Sequence, residues 1–409
     1  MCRWILIAFG VLLITSDASE WPQFLGPTRN GVYAGNDLAR VWPKEGPPKR
    51  WEKKIGEGFS GITVANGRAI LFHRLGNKEV IEALKVESGE PIWTFDYSCA
   101  YRDDFARGDG PRATPAIANE KIITFGAEGM LSCLDSSSGK KIWSVDAKEQ
   151  FGATKGFFGM ACSPLVEGNN VLLNMGGKNG AGIVAFDQQT GRTVWKATDH
   201  EAGYSSPVGA TVHGRRVAAF LTRSGLVILD PEKGKVHSEF PWRARMAASV
   251  NAATPLVIGD LIFLSASYDT GAIVLALKEN NKLQEIWSSD EALSNHYATS
   301  VHRAGFLYGF HGRQEEGPSL RCIELKTGRV RWSREQGPAG TVTLADDMLL
   351  VLFEDGRLML AEAASERFRM IAEAQILPFG ARAYPAVANG YLYARSKDKL
   401  VCVNLGKAN

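Results

Sequence analysis

The sequence predicts an all-β protein, an eight-bladed β-propeller of four-stranded antiparallel blades closed by an N-terminal strand. Three observations carry this. Asp135, Gly139 and Trp143 follow one another in steps of four, and Asp187-Gly191-Trp195 keeps the same spacing. Glu324-Gly328-Trp332 repeats it with the longer acid. A Ser or Thr followed by Pro recurs upstream, at Thr114-Pro115, Ser163-Pro164, Ser206-Pro207 and Thr254-Pro255. Ser60-Gly61, Thr299-Ser300, Thr341-Val342 and Tyr384-Pro385 are looser copies, and successive marks lie 42 to 54 residues apart, which makes eight units. Glycine, 43 of 409 residues, is well above the usual share of about 7% and supplies the turns that many short strands need.

Each unit reads as four strands. In the second, Ala116 to Asn119 is a short apolar run and Lys121 to Phe125 is rich in β-formers. Ala127-Glu128-Gly129 turns the chain, Met130 to Leu134 alternates, and Ser136 to Gly139 makes a tight turn before Lys141 to Val145. No unit holds ten residues of helical period, which excludes an α-solenoid. In the repeated triplet the Asp holds the following turn through backbone hydrogen bonds, the Gly takes a positive φ, and the Trp wedges between blades. The eighth unit, from Tyr384 to Leu405, stops after three strands without a Trp. Arg50-Trp51-Glu52-Lys53-Lys54-Ile55 is a fourth strand with no blade before it, and pairing the two ends removes an open sheet edge.

The remaining organisation follows. Residues 1–18 read as a signal peptide, with Arg3 ahead of the apolar run Ile5 to Ile14 and cleavage near Ala18. Ten apolar residues are too few to span a bilayer, which needs about 20. Residues 19–49 form a lead segment and 50–405 the propeller. The expectation is a periplasmic or secreted monomer with no membrane span. A composition 45% hydrophobic and 22% charged excludes a disordered chain, and a net charge of +3 gives no reason to expect nucleic acid. Beyond Cys2, five cysteines without a CxxC pair form neither a disulfide framework nor a zinc site, and Cys133, Cys322 and Cys402 sit in apolar alternations as small hydrophobes.

The spaced Asp-Gly-Trp mark resembles the PQQ-type (pyrroloquinoline quinone) propeller repeat and the tryptophan-docking repeat of quinoprotein alcohol dehydrogenases. The opening Trp21-Pro22-Gln23-Phe24-Leu25-Gly26-Pro27 resembles the lead segment of exported PQQ-like propellers. The resemblance runs from about Trp21 to Leu405. It implies the fold, and it implies one of two functions. Quinoprotein dehydrogenases hold PQQ on the axis beside calcium or a lanthanide and a catalytic Asp, commonly with a disulfide between adjacent cysteines. Here no two cysteines are adjacent, and no calcium-ligand trio or catalytic Asp can be matched. BamB-type propellers keep the blades without cofactor or catalysis and serve as binding platforms. They are lipoproteins, whereas Cys2 precedes the apolar run here.

The expected function is a non-catalytic platform for a protein or ligand, with no cofactor. The alternative is a PQQ-dependent oxidoreductase using calcium, with Arg112 and Arg382 on the cofactor's carboxylates and one of Asp103, Asp104 or Asp109 as base. Aligning the units on the Ser/Thr mark shows which side chains converge on the axis. Two residues before it stand Arg112, Ala161, Tyr204, Ala252, Tyr297 and Arg382, and three before it stand Asn251 and His296. Arg102, Asp103, Asp109, Lys155, Phe158, Arg243 and Arg245 lie further out in the same loops. Guanidinium pairs bind carboxylates or phosphates, so these residues outline an axial funnel for a protein partner or a small anionic ligand at the channel mouth. Equally, the arginines can pair with Asp103, Asp104, Asp109 or Asp290 and knit the loops together. Gly176 to Gly182 has phosphate-loop composition but no following helix, and reads as a hairpin turn.

Overall fold

The computed structural model describes residues 20–407 apart from 106, 107, 245, 247, 248 and 336. Eight sheets surround one axis, and they lie in sequence at residues 63–98, 116–146, 165–197, 208–241, 256–289, 301–334, 340–375 and 386–404. The eighth sheet is completed from the other end of the chain. Lys49–Lys54 pairs antiparallel with Lys399–Asn404, setting Trp51 opposite Cys402. The first turn-forming helix after the second blade, Ala147–Phe151, is a single turn capped by the Asp146 carboxylate and ended by Gly152 at φ 63°.

The repeated residues act across seams. In every blade the register slips by one residue where the outer strand begins, a bulge that increases the local twist. Where a Trp follows that bulge, it turns onto the next blade. Trp143 donates from Nε1 to the Gln188 carbonyl at 2.9 Å, and Trp93 to Ser136 at 3.1 Å. Trp51 of the closing strand donates to Val86 of blade one at 2.9 Å, so the closure uses the same joint as the interior seams. The glycine beneath is obligatory on two counts. Gly139 sits at φ +71°, and a Cβ there would fall 2.4 Å from the Trp93 ring. Asp135 accepts from the Ser137 and Ser138 N–H groups and so fixes the turn. Blades four and seven place Ser238 and Ala372 where the others carry Trp.

The core is therefore a ring of inter-blade layers. Between blades two and three, Cys133, Trp143, Val171, Val184 and Phe186 form one buried cluster. Each fully buried Val, Leu or Phe contributes about 1.5–3 kcal/mol relative to exposure. Cys99, Cys133, Cys162, Cys322 and Cys402 are all buried and unbridged.

The lead segment fills one end of the axis. Trp21 exchanges two 2.8 Å backbone bonds with Val64 of blade one, and Pro22 accepts from Ile117 of blade two. The buried guanidinium of Arg29 donates to the Ser163 and Pro164 carbonyls of blade three. Val32–Tyr33 then pairs in parallel with Gly340–Ala345, giving blade seven a fifth, innermost strand. Blade seven thus departs from the four expected strands because the lead segment occupies its inner edge.

Candidate functional site at the channel mouth

The Ser/Thr mark has a structural task where the inner strands begin. Gly61 N–H donates to Thr114 Oγ1 at 3.0 Å, Thr114 N–H to Ser163 Oγ at 2.9 Å, and Ser163 N–H to Ser206 Oγ at 2.9 Å. Thr254 N–H reaches Thr299 Oγ1 at 2.8 Å, and Thr299 N–H reaches the Tyr384 hydroxyl. Four of these bonds stitch the start of one inner strand to the next, and the Tyr384 hydroxyl of blade eight reaches blade six across blade seven, which holds the loops just upstream in place.

Those loops enclose an axial pocket of about 240 Å³. All six side chains that stand two residues before the mark line it: Arg112, Ala161, Tyr204, Ala252, Tyr297 and Arg382. Phe158 and His296 join them. The other candidates lie elsewhere. Arg102 and Asp109 pair at 3.5 Å, and Lys155 binds Asp104 at 2.8 Å, one layer outside the pocket. Asn251 is buried as a loop staple, its amide donating to the Thr222 and Trp242 carbonyls. Arg243 is exposed and outside the lining. Arg245 lies outside the described residues.

Three aromatic lining groups escaped the sequence reading. Phe24 of the lead segment reaches the pocket, where its ring meets Tyr384 edge-on at 5.3 Å. Phe59, just before the first mark, lies beneath both arginines, 5.6 Å from Arg112 and 6.0 Å from Arg382. Tyr268 extends from the turn between the second and third strands of blade five, its hydroxyl 2.8 Å from His296 Nε2. Glu354, in the matching turn of blade seven, supplies the missing charge. Arg382 binds it at 3.0 Å and Tyr297 donates to it at 2.7 Å. Aligning these turns, as well as the inner loops, would have brought Tyr268 and Glu354 to the axis.

The electrostatics follow from these pairs. Arg112 is held by the buried Asp103 carboxylate and by the Gly108 and Gly110 carbonyls. Both guanidinium groups that point to the axis are therefore matched by a carboxylate of the fold. Arg112–Asp103 is one of the pairings open from the sequence, while Arg382–Glu354 was not foreseen. Burial and the adjacent Glu354 raise the Tyr297 phenol well above its usual pKa, and burial raises Tyr204 and Tyr268 as well. Tyr204 accepts the Phe157 and Phe158 N–H groups at 2.7 and 3.1 Å, which seats the aromatic loop at the rim. The result is a charge-balanced bowl with neutral aromatic walls.

Among the described residues, no three His, Cys, Asp or Glu side chains come together in a metal-holding group. The two arginines suited to cofactor carboxylates already hold Asp103 and Glu354.

Fold and mouth together define a PQQ-like repeat propeller with its axis plugged at one end. The family described as outer membrane protein assembly factor BamB matches residues 77–334, and the chain belongs to that family. A BamB of Shewanella oneidensis is 23% identical over 90% of this chain and 92% of its own length. The crystal structure of BamB from Moraxella catarrhalis superposes with a TM-score of 0.61 at 16% identity, covering 88% of this chain and 99% of that one. The quinoprotein alcohol dehydrogenase PedH of Pseudomonas putida is 26% identical, but across only 42% of this chain and 29% of that enzyme.

Proposed function

We propose that the chain is an exported, non-catalytic platform that takes part in outer membrane protein assembly, with a protein partner docking at the channel mouth. One observation carries the reading. The ionised groups facing the axis are spent on internal pairs, Arg112 with Asp103 and Arg382 with Glu354, leaving a fixed aromatic surface. Such surfaces recognise partners by shape and apolar contact. On this reading the protein takes neither PQQ nor calcium.

A photo-crosslinking residue at position 157, on the rim, is compared with one at position 39, near the plugged end, in cells of the native host. The expected adduct forms at position 157 and contains an outer membrane assembly protein. Adducts at position 39 alone, or none, would overturn the reading. A thermal-unfolding titration with PQQ and calcium tests the enzymatic alternative. A ligand at a hundredfold over its dissociation constant adds about 2.7 kcal/mol, so a saturable shift would favour that alternative.

A further inference from the structure

The axial pocket combines features that specify its occupant more closely than the platform reading does. Its volume, about 240 Å³, is below the roughly 300–1,000 Å³ of small-molecule and cofactor sites. It nevertheless exceeds the roughly 150 Å³ cavity that holds one benzene. The space suits one large ring on a chain that continues outside.

Its walls make the same choice. Phe24 and Phe59 present rings on one side, and Tyr204, Tyr268 and Tyr297 on the others. Two guanidinium groups stack over Phe59, and a further ring can share that arrangement. A carboxylate entering here would compete with Asp103 and Glu354 for cations that they already hold, next to the exposed Glu315 at the rim. An ammonium group would compete with Arg112 and Arg382 for the same carboxylates. The balance favours an uncharged ring.

The rim gives the ring a chain. Phe105, 51% exposed, lies 5.1 Å from Phe158 and 6.1 Å from Phe157, which is itself 38% exposed. Phe158 meets Tyr204 at 5.7 Å, so one aromatic surface runs from solvent to the pocket wall. A free ring would leave the outer half of that surface bare, whereas a polypeptide with its ring in the pocket would cover it.

We infer that the mouth is an anchor socket for an uncharged aromatic side chain, Trp or Phe, projecting from an extended segment of a partner protein that lies across the Phe105–Phe157 rim. The inference rests on the platform reading and names the recognition element. Buried aromatic anchors commonly dominate interface energies.

The test uses the folded protein and capped tripeptides Gly-Trp-Gly and Gly-Leu-Gly, with free indole and indole-3-acetate, followed by ligand-observed NMR. The Trp peptide is expected to saturate and to bind about tenfold or more tighter than the Leu peptide and than free indole. Ala252→Trp, which fills the pocket from blade five, should abolish that binding with the melting temperature retained. Ala161→Phe does the same from blade three, should the first variant fail to fold. Indole binding as tightly as the peptide would make the site a small-molecule pocket and overturn the inference. Tighter binding of indole-3-acetate than of indole would restore the anion pocket and overturn it too. So would the absence of saturation, or peptide binding that survives the filled pocket. Partner crosslinking at position 157 without peptide binding would sink the socket and leave the platform standing. Loss of crosslinking with peptide binding intact would do the reverse.

Discussion

The two ends of the axis are built on the same eight inner strands and packed in opposite ways. At one end the lead segment fills the channel from Trp21, 1% exposed, up to Leu25 and Arg29, which meet Tyr384 and the Ser163 carbonyl beneath the mouth. At the other end the loops stop short of the axis and leave a bowl whose floor is Phe24 of that same segment. Plugging one end converts a through-channel into a socket with a single mouth. Residues at the plug should matter mainly for stability, and residues at the mouth mainly for binding.

The largest expected effect lies at the plug. Trp21→Ala removes a buried indole packed over Gly26, where a Cβ would lie 2.9 Å from the ring, and should cost about 3–5 kcal/mol in denaturant unfolding. A cost under about 1 kcal/mol would show that the propeller stands without its plug. At the mouth, Glu354→Gln keeps an acceptor for Tyr297 but strips the charge facing Arg382. A smaller loss of about 1–3 kcal/mol is expected by the same measurement, because Arg382 is partly solvated. Equal losses at the two sites would erase the contrast between them.

How much of this was legible follows from repetition. The Asp-Gly-Trp steps and the Ser/Thr mark occur in several copies, each meeting the same neighbour, so their spacing exposed the blades and placed Tyr204, Tyr297 and Arg382 on one axis. The closing strand was readable because Trp51 meets Val86 as Trp143 meets Gln188. The plug has no second copy. Its path is set by contacts such as Arg29 with Ser163 and Pro164, which lie more than 130 residues away in sequence. Glu354 stayed hidden for a related reason. It sits on the turn between the second and third strands, outside the loops that enter the inner strands.

Acid should act on blade six with intermediate size. His311 Nδ1 accepts from Ser294 N–H at 3.1 Å, and burial, with Arg321 nearby, lowers the imidazole to about 4 despite Asp290 and Glu335. The unfolded chain takes up a proton near pH 6.5, whereas the folded one waits until about 4. Between those values the unfolded state binds more protons, so stability falls as pH falls. The melting temperature should drop across that window. His311→Asn, which can keep the acceptor without titrating, should flatten the drop. An unchanged slope in the variant would move the acid sensitivity elsewhere.

The smallest stability effect should accompany a clear binding effect, and that pairing tests the contrast most sharply. Phe105 is half exposed, and its ring lies against those of Phe157 and Phe158. Truncating such a surface side chain usually changes stability by no more than about 0.5 kcal/mol. If the rim carries the segment that flanks the anchor, Phe105→Ala should still weaken the Trp tripeptide several-fold and leave free indole unchanged, because indole ends inside the pocket. Equal weakening of both would mean that Phe105 shapes the pocket wall through Phe158. An effect on neither would confine recognition to the bowl itself, and the exposed rings at the rim would then have no share in holding a partner.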